Sequence, residues 1–165
     1  MNEAAKFGSR PNSIITYVAP TYRQAREIFY EPMKTALIDR RWLSKPNDSK
    51  LDLRLVNNTI IRSRSAENHD AMRGGKNDFL ILDEIQDIRH AAWTQTLRPT
   101  LSDTGGHALF IGTPKGMGTW FYDLWANADK LDNWSRYQYT SLQGGNVPAE
   151  EVEAARLEMD TRTFE

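Results

Sequence analysis

Four apolar residues run directly into two acids at Phe79-Leu80-Ile81-Leu82-Asp83-Glu84. An apolar run of this length reads as a strand covered on both faces, and in open α/β sheets ligands gather beyond the carboxyl ends of the strands. Asp83 and Glu84 are therefore delivered to a site edge. Adjacent carboxylates suit two tasks there: one holds a divalent cation, and the other orients and deprotonates a water. A solvated turn or a helix cap uses the same residues, so neighbouring segments must decide.

Gly112-Thr113-Pro114-Lys115-Gly116 follows a second apolar run, Ala108–Ile111. It offers a hydroxyl and pliable backbone where a γ-phosphate would lie, although a plain turn uses Gly and Pro for their dihedrals alone. Beside Asp83-Glu84 it favours the Walker B arrangement of nucleoside triphosphatases, with Asp83 on Mg²⁺ and Glu84 on the water. Met72-Arg73-Gly74-Gly75-Lys76-Asn77 is basic and glycine-rich, but a phosphate loop would need glycine at Asp70 and a hydroxyl at Asn77. Arg73 reads instead as a fork for phosphate or DNA, or as an exposed loop arginine. Tyr22, Arg23 and Arg26 offer contacts to DNA phosphates; a solvated helical face with an aromatic edge explains them equally well. His69, His90 and His107 lack metal-ligand spacing, and the five tryptophans read as core.

The elements that position these residues alternate. Strands are predicted at Ser13–Val18, Thr59–Ser63, Phe79–Leu82 and Ala108–Ile111, the last two central and parallel because they are apolar on consecutive residues. Thr21 and Gln24 form a capping-box pattern ahead of Ala25, Ile28, Phe29, Met33, Ala36 and Leu37 at helical spacing, with Pro32 expected to kink or divide the helix. Leu51–Ser63 reads as a hairpin turning at Asn57-Asn58. Short helices are expected at Ala91–Leu97, ending before Pro99, and at Gly118–Asn127. A weaker strand is expected at Trp134–Thr140, and a last helix from Pro148 to about Met159. Strand and helix in alternation make an α/β sheet flanked by helices.

The chain has 165 residues, room for one ordinary domain with a core that needs no disulfide. It has no cysteine, which excludes thiolate catalysis, Cys-ligated zinc and iron–sulfur clusters and fits a reducing cytosol. No apolar run approaches the roughly 20 residues of a membrane span, and the mean hydropathy is -0.64. The net charge of -1 hides a polar distribution: residues 1–76 carry +6 and residues 77–165 carry -7. Such asymmetry marks a nucleic-acid-facing surface, or arises by chance.

Taken in order, Tyr17-Val18-Ala19-Pro20-Thr21-Tyr22-Arg23-Gln24-Ala25, Arg73-Gly74, Ile81-Leu82-Asp83-Glu84 and Phe110-Ile111-Gly112-Thr113-Pro114 resemble the ATPase domain of the terminase large subunit, the DNA-packaging motor of tailed bacteriophages. Single motifs also suit superfamily 2 helicase-like translocases, and a DNA-binding or motor-interaction module is the non-enzyme alternative. The resemblance implies a P-loop NTPase-like fold of the RecA/ASCE type, a mostly parallel sheet lacking the phosphate-loop strand, with residues 1–165 forming a partial ATPase domain. It implies ATP and Mg²⁺ as cofactors, Asp83 as the metal ligand and Glu84 as the catalytic base. Gly112, Thr113 and Pro114 would couple hydrolysis to movement, and Arg73 would complete a neighbouring subunit's site as a trans-acting arginine finger. The implied partners are double-stranded DNA, the portal and procapsid, the terminase small subunit and other large subunits in a ring, in the cytoplasm of the infected host. No Walker A loop occurs in the chain. The expectation is that Met1–Gly8 is the tail of the helix after that loop, that the nuclease domain lies beyond Glu165, and that the fragment alone is nearly inactive.

Overall fold

The computed structural model describes residues 10–113, 115–144 and 148–158. Six strands form one sheet in the spatial order β2-β3-β4-β1-β5-β6: β1 (Ile14–Ala19), β2 (Leu43–Asn47), β3 (Asp52–Leu55), β4 (Ile60–Ser65), β5 (Phe79–Leu82) and β6 (His107–Phe110). The pairs β4-β1, β1-β5 and β5-β6 are parallel, whereas β3-β4 and β2-β3 are antiparallel. The sheet is thus a parallel centre with a hairpin wing.

Helical segments supply the crossovers that parallel pairing requires. Thr21 caps α1 (Tyr22–Gln24) through a complete capping box, its hydroxyl accepting from the Gln24 amide while the Gln24 side chain returns to Thr21. The chain continues through a π-helical stretch (Ala25–Tyr30) into α2 (Glu31–Asp39). Pro32 does not divide this run. It lies in the first turn of α2, where a missing N–H is tolerated, and the wide turn before it closes with the Glu31 amide on the Arg26 carbonyl. The helix buries Tyr30 and Leu37 against Ile15, Leu53, Leu55, Ile61 and Phe79. By strand alternation Thr16, Val18, Leu80, Leu82 and Phe110 face the other way, where a π-helical turn (Ala92–Leu97) and a 3-10 turn (Arg98–Leu101) bring Trp93 edge-on to Phe110 at 4.8 Å.

A buried polar pin fixes the register of β1 and β5. Asn77 accepts from the Thr16 hydroxyl at 2.5 Å and donates to the Thr100 hydroxyl at 2.9 Å, while its amide donates to the Thr100 carbonyl. The asparagine that spoils a phosphate-loop motif at this position ties two strands to a helical turn.

Several expectations are corrected. Residues 134–140 form no strand, and Tyr137 and Tyr139 are exposed. The run at Ala108–Ile111, whose apolar sequence reads as central, is β6, the sheet edge among the described residues, with Leu109 and Ile111 exposed by 44% and 45%; a sheet lacking the phosphate-loop strand beside it, as the resemblance implies, would bare such an apolar edge. Pro99 does not end the helical stretch, because the chain tightens into the 3-10 turn through Leu101. Strand β2 was not expected, since Lys45-Pro46-Asn47 carries no β signal; Pro46 is tolerated because β2 is an edge. The later helices are α3 (Trp120–Asn127), α4 (Ser141–Gly144) and α5 (Ala149–Glu158). The expected helix tail at Met1–Gly8 and the helix end at Met159 lie outside the described residues. The chain divides into two compact units, up to Asp123 and from Leu124 onward; the strands and both hydrophobic clusters belong to the first. In the second, Arg136 pairs with Asp129 and lies over the Trp125 ring at 4.4 Å. No helix among the described residues is long and apolar enough to cross a membrane.

Two outcomes follow for stability. Asn77→Ala leaves the buried Thr16 hydroxyl without its acceptor, while the Thr100 hydroxyl keeps the Leu97 carbonyl, and should cost about 2 kcal/mol in urea unfolding. Tyr30 donates to Asp48 at 2.7 Å, and burial followed by that hydrogen bond pushes its pKa up. Because the folded pKa lies above the unfolded one, the contribution is complete below about pH 10 and is lost as pH rises beyond it. Unfolding midpoints should therefore fall less steeply above pH 10 in Tyr30→Phe than in the parent chain.

Candidate active site at the strand ends

The carboxyl ends of β5 and β6 lie side by side, with Leu82 opposite Phe110. Beyond Leu82 the Asp83 amide still donates to the Val18 carbonyl of β1, so the first acid leaves the sheet in register. Its carboxylate is held at both oxygens: Oδ2 accepts from the Tyr17 hydroxyl at 2.5 Å, and Oδ1 accepts from the Glu84 amide at 3.0 Å. Tyr17 is 4% exposed and stacks on Phe29 of the π-helical stretch, with ring centroids 4.1 Å apart and planes at 4°. Helix packing therefore reaches the Asp83 carboxylate through one ring.

Glu84 turns the chain. Its φ of 49° and ψ of 46° are left-handed, a region that costs a residue with a side chain roughly 1–2 kcal/mol and concentrates at functional sites. The turn drives Ile85 into the core, fully buried, and opens the 3-10 turn Ile85–Asp87. The Gln86 side-chain amide donates to the Glu84 carboxylate. From the adjacent strand the Ile111 carbonyl accepts from the Ile85 amide at 3.0 Å, and Lys115 bridges to Asp87 at 2.7 Å. Gly112 is pressed against this turn: a Cβ there would meet Gln86 Oε1 at 2.2 Å and Ile85 Cγ2 at 2.9 Å. The glycine is required by close approach.

Asp83, Glu84 and Gly112 thus lie at one edge, with Thr113 following Gly112 in the chain. Pro114 lies outside the described residues. Arg73 is not among the groups touching the carboxylates; exposed, it pairs with Asp70 at 2.7 Å and holds that carboxyl below its usual range. Tyr22 and Arg23 are exposed on α1, where Arg23 pairs with Glu27 at 3.0 Å. Sequence reasoning missed Tyr17 and Gln86. Tyr17 pairs with Ile81 in the parallel register, two positions before Asp83, so the strand pairing itself was the available signal.

Among the described residues no three His, Asp or Glu side chains converge on a cation site. The Asp83 carboxylate is a hard oxygen donor of the kind Mg²⁺ takes, one or two such groups beside phosphate oxygens and several waters. Each Asp83 oxygen retains a lone pair beyond its single hydrogen bond.

Residues 4–158 match the family described as terminase large subunit, T4likevirus-type, N-terminal. The chain belongs to that family. It is 32% identical over 160 residues to the terminase large subunit of Escherichia phage T5, covering 93% of this chain and 36% of that protein. Against the large subunit of Thermus phage G20c it is 34% identical over 135 residues, covering 70% and 27%. It therefore spans about a third of these relatives' length. An arginine-to-alanine mutant of the Thermus phage P74-26 large terminase ATPase domain superposes with a TM-score of 0.76 at 26% identity, covering 96% of this chain and 76% of that one. The large terminase of another thermophilic bacteriophage, in complex with ADP, gives 0.79 at 15%, covering 96% and 40%. The fold is P-loop NTPase-like, as the terminase resemblance implied.

Tyr17→Phe keeps the stack on Phe29 but removes the donor to Asp83. It should cost about 1 kcal/mol in urea unfolding at neutral pH, and the loss should vanish in an Asp83→Ala background, where the acceptor is gone. Equal losses in both backgrounds would place the effect in packing.

Proposed function

We propose that this chain is the metal-and-base half of an ATP-hydrolysing site in a phage DNA-packaging motor. The observation that carries the reading is the convergence of Asp83, Glu84 and the Gly112-Thr113 turn at the strand ends of a terminase-family chain. ATP is the substrate and double-stranded DNA the cargo, moved into a procapsid through the portal by large subunits in a ring, with the terminase small subunit as a further partner. The setting is the cytoplasm of the infected host. Residues 1–165 are a partial ATPase domain under this proposal.

In chemical terms Asp83 would hold Mg²⁺, whose chemistry there would be to supply positive charge against the phosphates. Tyr17 and the Glu84 amide keep that carboxylate from swinging toward bulk solvent. Glu84 accepts a proton from the attacking water as its oxygen bonds to the γ-phosphorus and the bond to ADP breaks. The left-handed backbone at Glu84 sets where its side chain leaves the chain. Thr113 presents a hydroxyl on the same edge, and Gly112 lets the turn lie against residues 85 and 86. Arg73 is proposed to reach a neighbouring subunit's nucleotide, which requires it to exchange Asp70 for phosphate. Tyr22 and Arg23 are proposed DNA contacts, Arg23 exchanging Glu27 likewise. No segment of the sequence matches Gly-x-x-x-x-Gly-Lys-Ser/Thr, so the phosphate cradle is proposed to come from other residues.

The test is Mg²⁺-dependent ATP hydrolysis by this chain and by the same reading frame extended upstream by about 30 codons, one strand–loop–helix unit. The longer form should turn over, and Glu84→Gln should lower kcat by roughly 10² to 10⁴. An inert extended form that still binds DNA would overturn the assignment in favour of a binding module.

A further inference from the structure

Gln86 belongs to no part of the mechanism above, yet its side chain is placed against both halves of the site. Its Nε2 donates to a Glu84 carboxylate oxygen. Its Oε1 is buried and finds no hydrogen-bond donor among the described residues. A buried carbonyl left without a donor costs about 1–3 kcal/mol, a state retained only when something else depends on the side chain lying there. The same Oε1 occupies the space in front of Gly112, 2.2 Å from where a Cβ would stand. The amide plane is therefore wedged between Glu84 on one strand end and the Gly112-Thr113 turn on the other.

The backbone around it is already committed. The Ile85 amide is bonded to the Ile111 carbonyl, the Asp87 amide to the Glu84 carbonyl, and the Ile111 amide to the Leu82 carbonyl. These bonds hold the two strand ends together but do not touch the Glu84 carboxylate. A displacement of the turn at Gly112 meets the Gln86 carbonyl first, and because the amide is planar the push is delivered through its N–H to Glu84. In the geometry observed, that N–H also occupies one of the two oxygens with which Glu84 would accept a proton.

We propose that Gln86 is the positioning residue that links the Glu84 carboxylate to the Gly112-Thr113 turn. Its N–H sets where the carboxylate lies, and its donor-less carbonyl is the surface through which movement of the turn reaches the base. The inference rests on Glu84 being the base; the contact itself is testable without catalysis.

The chain contains ten glycines, so [¹⁵N]glycine labelling gives a sparse amide spectrum, in which added [1-¹³C]isoleucine singles out Gly112, the one glycine in the sequence preceded by isoleucine. Glu84→Ala should move the Gly112 resonance when residue 86 is Gln. In Gln86→Met, which keeps the side chain's length and removes its amide, Glu84→Ala should leave that resonance in place. An equal response in both backgrounds would mean that the signal travels through the Ile85–Ile111 backbone bond, and no response in either would mean that there is no link; each overturns the proposal. Thermal unfolding of the same variants separates a folding defect from loss of contact. In the upstream-extended form, Gln86→Met should lower kcat about 10- to 100-fold, the scale of a misplaced catalytic group, with KM for ATP within about twofold. An unchanged kcat would overturn the positioning role. If Glu84→Gln leaves hydrolysis intact, the base assignment is what fails, and the Gly112 response still decides whether Gln86 makes the link.

Discussion

The structure depends on one constraint: β5 is parallel-paired on both sides and covered on both faces, so its four residues have no freedom except at the carboxyl end. Leu80 and Leu82 are wholly buried, and the Leu82 carbonyl accepts from β6 while the Asp83 amide bonds to β1. A slip of one residue would send Phe79 and Ile81 to the opposite face and pull Asp83 into the core. Asn77 prevents the slip at the amino end through Thr16 and Thr100. The position of Asp83 is thus set at both ends of the strand.

Precision at the strand end then passes from backbone to side chain. Asp83 is fixed by Tyr17, whose ring is fixed by Phe29, which belongs to the π-helical stretch. That stretch is held in turn by Ser63, whose buried hydroxyl donates to the Ala25 carbonyl at 2.7 Å. The helix insertion is therefore more than an accommodation of Pro32; it sets the face from which Phe29 reaches β1. Local insertions of this kind are frequent at functional sites for this reason.

The sheet centre and the paired acids were legible because they are local signals: consecutive apolar residues, a capping box, acids at a strand exit. What stayed hidden was non-local. Tyr17 and Gln86 look ordinary until the register sets Tyr17 one strand over from Ile81 and Gly112 against the Ile85–Gln86 turn. Strand β2 escaped because pairing with β3, rather than propensity, makes Lys45-Pro46-Asn47 extended. Trp134–Thr140 misled for the converse reason, since aromatic residues with β propensity do not by themselves make a strand.

The committed backbone also shows what this edge can and cannot supply. Phosphate cradles use runs of free amides. Here the Asp83 amide serves Val18, that of Glu84 serves the Asp83 carboxylate, that of Ile85 serves Ile111 and that of Asp87 serves Glu84. With these four amides engaged, what the turn itself presents is the Asp83 and Glu84 carboxylates, suited to a cation and a water and repulsive toward bare phosphate. A phosphate set against these two carboxylates would therefore need positive charge or further donors beside it, and Mg²⁺, if held by Asp83, would supply that charge.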